Sequence, residues 1–178
     1  MNQKRSALTR FAPFLLLLVP FLAGQTQCPA PGDGGVNPLP STQVPQAILA
    51  MEDAAFDLVN QERMAVQLPP LVHDNTARAV ARAHSKDMAD RDYFNHVTPE
   101  GLLPWDRMAS AGMTYSMAGE NIASNQGFGN PAGTAVTGWM NSQGHRANIL
   151  NQGFTRTGMG VAQNAQGKWY FTQVFYTP

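Results

Sequence analysis

From Gln46 to Gln67, Ile48, Met51, Ala55, Leu58 and Val59 recur with Glu62 at i, i+3, i+4 and i+7, the spacing of a core-facing helix stripe. Pro69-Pro70 ends that helix, and the short apolar run Leu71-Val72-His73 predicts one strand. Asp74 or Asn75 then caps a second helix to about Asp92, with Ala77, Val80, Ala81, His84 and Met88 on one face. Thr98-Pro99-Glu100-Gly101 reads as a turn, and Pro104 opens a short helix through Met108. Asn130-Pro131 opens another helix with Ala132, Ala135, Val136, Trp139 and Met140 inward, and Ser142 is placed to cap a short one running from His145 to Leu150. After Gly153, Phe154–Ala162 and Lys168–Tyr176 read as strands joined by the hairpin Asn164-Ala165-Gln166-Gly167.

The last strand carries Trp169, Phe171 and Phe175 on one face and Tyr170, Val174 and Tyr176 on the other, so it needs cover on both sides. Its partner places Gly158, Gly160 and Ala162 on one face, where a helix can approach closely. The expected class is α+β: a sheet with helices on both faces, without regular βαβ alternation. There is no GxGxxG or Walker-type loop; the Gly127-Phe128-Gly129 stretch has neither spacing.

Ahead of this body, Met1–Arg10 is polar and basic, Phe11–Ala23 is almost wholly apolar, and Gly24 follows. That pattern predicts a secretory signal peptide over residues 1–24, because thirteen apolar residues are too few for a bilayer that needs about 20. Residues 25–45 are a Pro/Gly-rich linker, and residues 46–178 form the single folded domain. Export is therefore expected, to the cell envelope or beyond. Cys28 follows Gln25-Thr26-Gln27 rather than small residues, which disfavours lipid anchoring relative to a free thiol. As the chain's one cysteine, it also excludes an intramolecular disulfide.

The overall balance of 12 basic and 12 acidic residues becomes 9 against 12, a net of −3, once residues 1–24 are set aside. No basic cluster survives, which argues against nucleic acid as a partner. Candidate chemistry lies off the helix faces: His96 in a turn, Glu120 beside Gly119, and Ser142, His145 and Arg146 close together. Two histidines and one carboxylate suit zinc or a similar divalent ion with open positions. His84 reads as a packed, hydrogen-bonded core residue and His73 as a surface or turn residue. Ser142 reads as a helix cap rather than a nucleophile, since no nucleophile-elbow sequence surrounds it.

These segments have a family likeness. LVNQERMAVQLPPL, YFNHVTPEG, AGENIA, GWMNSQGHRANIL, GMGVA and WYFTQVFY, in that order from about Ile48 to the end, resemble the CAP superfamily of cysteine-rich secretory proteins, antigen 5 and pathogenesis-related 1, specifically its bacterial SCP-like branch. The resemblance implies a three-layer α-β-α sandwich with an antiparallel sheet ending in a C-terminal hairpin. It also implies a cleft of two histidines and two acids, of which His96, Glu120 and His145 match, with Asn121, Ser142 and Arg146 as neighbours. The second acid falls on Ser142, so the tetrad is incomplete. The disulfides of eukaryotic members are absent. The implied function is a monomeric, exported, non-catalytic binding module for a lipid, glycan or envelope protein, with a cleft able to hold Zn, Mg or Ca. The alternative is a metal-dependent hydrolase of peptide or envelope polymer, in which His96 and His145 hold the ion and Glu120, the candidate catalytic residue, activates its water.

Overall fold

The computed structural model describes residues 44–178, so the expected signal peptide, Cys28 and nearly all of the linker lie outside the described residues. Helix α1 spans Gln46–Ala65, strand β1 Val72–His73, helix α2 Asn75–Arg91 and helix α3 Pro104–Ser110. Strand β2 (Met117–Asn125), helices α4 (Pro131–Met140) and α5 (Gln143–Ile149), and strands β3 (Arg156–Gln163) and β4 (Trp169–Thr177) complete the order. Among the described residues, no helix is long and apolar enough to cross a membrane.

The strands form one sheet in the order β1-β3-β4-β2. β3 and β4 are the expected hairpin and β2 joins antiparallel to β4, but the two-residue β1 runs parallel to β3, so the sheet is mixed rather than wholly antiparallel. On one face, Phe171, Phe175, Met159 and Val161 pack against Ala55 and Val59 of α1 and Ala135, Val136 and Trp139 of α4. On the other, Val174 and Tyr176 meet Ala77, Val80 and Ala81 of α2, and Tyr170 meets Met88. This two-sided burial of β4 makes the three layers.

The glycine face of β3 works as its pattern predicts. A Cβ on Gly158 would stand 2.0 Å from the Arg78 backbone nitrogen, and one on Gly160 2.1 Å from that of Arg82. α2 therefore lies on the sheet at a distance only glycine permits.

Three expectations need correction. β2 is a nine-residue strand that the pattern left unassigned, because Gly119, Ala118, Ser124 and two asparagines show no apolar alternation. The interior face of α1 includes Glu52, Asn60 and Arg63, all buried, whereas Glu62 is only half-buried. Each buried group is met by distant partners: Asn60 brackets the backbone of Leu71 at 2.8 and 3.1 Å, and Arg63 donates to Ile149 O at 2.7 Å and Asn151 O at 2.8 Å at the end of α5. Finally, Ser142 occupies the N-cap position of α5 but its side chain makes no capping bond.

Candidate functional site

The turn carrying His96 is built from α2 outward. The helix closes on Asp92, whose backbone is left-handed (φ 50°) and whose N–H bonds Met88 O. The chain then reverses, with Asn95 Oδ1 accepting from the Val97 N–H at 3.0 Å. Beneath it, His84 Nε2 lies 3.0 Å from Asn95 O, the hydrogen-bonded core role expected of it. That bond makes Nε2–H the donor and leaves Nδ1 buried without a partner. Burial lowers the His84 pKa, opposed by the Glu120 carboxylate and reinforced by Arg107.

Arg107 of α3 ties the turn to the sheet. Its Nη1 donates to His96 O at 2.8 Å and its Nη2 to Glu120 Oε2 at 2.6 Å. Glu120 stands on β2 with its side chain 2% exposed, and its other oxygen, Oε1, is 2.8 Å from His96 Nδ1. Beside a carboxylate that nitrogen is the donor, so in the neutral ring Nε2 is the free acceptor. His96 is 43% exposed. The result is a chain of contacts from Arg107 through Glu120 to His96 that carries a buried negative charge to the surface.

His145 reaches the site from the other face of the sheet. Asn121, wholly buried on β2, donates from Nδ2 to His145 O at 3.1 Å, and Asn148 Nδ2 donates to Asn121 Oδ1 at 2.9 Å and to Glu120 O at 3.3 Å. Burial lowers the His145 pKa, and the neighbouring His96 lowers it further. The two histidines thus approach around the free edge of β2, with His96 and Glu120 on the α3 side and His145 on the α5 side.

Of the expected site residues, His96 and Glu120 line one hollow of about 280 Å³ together with Trp105. His145 and Ser142 line a second of about 450 Å³ with Phe94 and Phe128. Asn121 lines neither; it is wholly buried and ties His145 O to Asn148. Arg146 does not join them; it lines a separate depression with Met140 and Leu150. Among the described residues, no group of three or more His, Cys, Asp or Glu side chains is placed to share an ion. Both Glu120 oxygens are engaged, one by a guanidinium that repels a cation. Nor do Ser142, His145 and Glu120 form a nucleophile series, since Glu120 contacts His96 rather than His145. Sequence reasoning missed Arg107 and Asn148, which hold the site together. Nothing in PWDRM or HRANI distinguishes them from surface polar residues.

A profile of the cysteine-rich secretory protein family (CAP) matches residues 56–175. The Bacillus subtilis protein YkwD, itself uncharacterized, is 43% identical over 124 residues, covering 70% of this chain and 47% of that protein. YlbC, described as an uncharacterized membrane protein of the same bacterium, is 40% identical over 124 residues, covering 70% of this chain and 34% of that one. The chain thus spans half or less of the length of the curated relatives it matches. Among solved structures, an extracellular protein containing an SCP domain from Bacillus anthracis superposes with a TM-score of 0.68 at 37% identity, over 75% of this chain and 42% of that one. An outer surface protein from Borrelia burgdorferi superposes with a TM-score of 0.65 at 19% identity, over 72% of this chain and 92% of that one, which shows the fold alone. With the profile spanning the sheet and the His96–Glu120–His145 edge alike, the chain belongs to the cysteine-rich secretory protein (CAP) family.

Proposed function

We propose that this protein is an exported binding module of the cell envelope or extracellular space, holding its ligand at the His96–Glu120–His145 edge without turning it over. The observation that carries this reading is the engagement of both Glu120 oxygens, by Arg107 at 2.6 Å and His96 at 2.8 Å. A general base must present a lone pair to the proton it takes, and a carboxylate only 2% exposed, held between an arginine and an imidazole, can turn toward a ligand only at a cost of several kcal/mol. The 37% identity to an extracellular protein with an SCP domain supports placement outside the cell.

The test is co-sedimentation of the purified protein with isolated envelope polymer, with soluble products assayed in the same tubes. Wild type should sediment, Glu120→Gln should sediment less, and neither should release fragments. Release by wild type but not by Glu120→Gln overturns the reading in favour of a metal-dependent hydrolase. Zinc, magnesium and calcium are tested separately, by calorimetric titration of metal-stripped protein beside the His96→Ala/His145→Ala variant. Because imidazole ligates only when neutral, any affinity carried by the two histidines should fall with acidification.

A further inference from the structure

The second hollow has a composition that the family assignment does not explain. It is lined by residues 122–125 of β2, by Trp139 and His145, and by two phenylalanines. Phe94, on the turn after α2, is 46% exposed, and Phe128, on the loop before α4, is 56% exposed. Two large exposed rings lining one groove make the kind of apolar surface that marks a binding site. The lining also holds neutral hydrogen-bonding groups. Asn125 spends its Nδ2 on Pro131 O at 2.9 Å and so offers the hollow little. Ser142 caps nothing, and Thr134 points its hydroxyl proton at Asn130 O, leaving lone pairs to accept. No Asp, Glu, Lys or Arg is among the lining residues, which disfavours a charged ligand.

The edge of β2 narrows the choice further. Its odd-numbered residues bond β4, which turns the N–H and C=O of Glu120, Ile122 and Ser124 outward. An edge of that kind normally invites an added peptide strand. Here two successive outward carbonyls are already taken: Glu120 O by Asn148 Nδ2 at 3.3 Å and Ile122 O by Trp139 Nε1 at 2.9 Å. A docking strand would find those two acceptors already occupied, with only that of Ser124 left along this stretch.

We infer that the groove lined by Phe94 and Phe128 binds a neutral carbohydrate chain, its sugar rings lying against the phenylalanines and its hydroxyls meeting Thr134 and Ser142. The assignment rests on the binding-module reading above and names its ligand class. Sugars present apolar C–H faces ringed by hydroxyls, which matches aromatic walls set around neutral donors and acceptors.

The experiment is calorimetric titration of the full chain with cellohexaose, with the N-acetylglucosamine hexamer, with hexagalacturonic acid as a charged control, and with a Val/Thr-rich hexapeptide. Saturable binding of at least one neutral hexamer is expected, weakened about tenfold or more by Phe94→Ala and by Phe128→Ala, with little binding of the acid or the peptide. Both rings are exposed, so far-ultraviolet dichroism should show the variants folded. No saturable binding of either neutral hexamer at millimolar concentration overturns the inference. So does binding undiminished in the Phe94→Ala/Phe128→Ala variant, or preference for the peptide. Envelope co-sedimentation without hexamer binding removes only the carbohydrate assignment; fragment release removes the binding-module reading instead.

Discussion

Glu52 and Glu120 are both buried carboxylates held by arginine, yet they occupy different kinds of place. Glu52 is closed in. Arg78 Nε reaches its Oε2 at 2.6 Å, Arg82 binds both oxygens at 2.5 and 2.7 Å, and the Val161 N–H meets Oε1 at 3.2 Å. Those partners come from α2 and β3, so one carboxylate pins α1, α2 and the sheet together. Glu120 has a single arginine, and its second oxygen meets an imidazole that is 43% exposed. A buried charge surrounded by protein cations is a structural tie. A buried charge whose last partner stands in water can respond to what binds there.

The difference should appear first in stability. Glu52→Gln leaves Arg82 without its counter-charge and Arg78 with only the exposed Asp53, and should destabilise by about 3 kcal/mol, the low end for a broken buried pair because Arg78 keeps that partner and both arginines touch water. Glu120→Gln strands only Arg107 and should cost about 1–2 kcal/mol. Urea unfolding of both variants checks the ranking, and equal losses would erase the distinction drawn here.

Gly160→Ala probes the closed cluster from the other side. The added methyl would stand 2.1 Å from the Arg82 nitrogen and must push α2 away from β3, pulling Arg82 off Glu52. A loss of about 1–3 kcal/mol is expected, and it should be smaller when measured in the Glu52→Gln background, because the two changes break one contact. Additive losses would show that the glycine and the ion cluster are independent.

The smallest expected effect is in pH dependence. His84 and His145 both have lowered pKa values, caused first by burial. Above the ordinary imidazole value near 6.5, folded and unfolded chains both leave them neutral. Below it the unfolded chain takes protons first, so stability falls with acidification until the lowered folded values are reached. Unfolding midpoints between about pH 7.5 and 5.5 should therefore drop in wild type and drop less in His84→Gln. Parallel declines would remove His84 from the account.

Much of the fold was legible along the chain. The helical stripes of α1 and α2, the Asn130-Pro131 start of α4 and the hairpin all follow from local spacing and turn chemistry. The two-faced apolar pattern of β4 and the glycines of β3 also dictated cover on both sides, because a buried strand and a missing Cβ have only one packing solution. His96, Glu120 and His145 could be picked out as candidates, since each lies in a motif distinct from the helix faces, and the structure brings His96 and Glu120 into contact. Their partners could not. Arg107 is 13 residues from Glu120, Asn148 is 28, and Arg78 and Arg82 are 26 and 30 from Glu52. β2 was invisible for the same reason, since its polar and small residues become a strand only by pairing with β4. Periodicity reports which face of an element is apolar; it carries no information on which distant charge will meet a buried one. Whether a carboxylate is a sealed tie or an open edge is set where the chain folds back on itself.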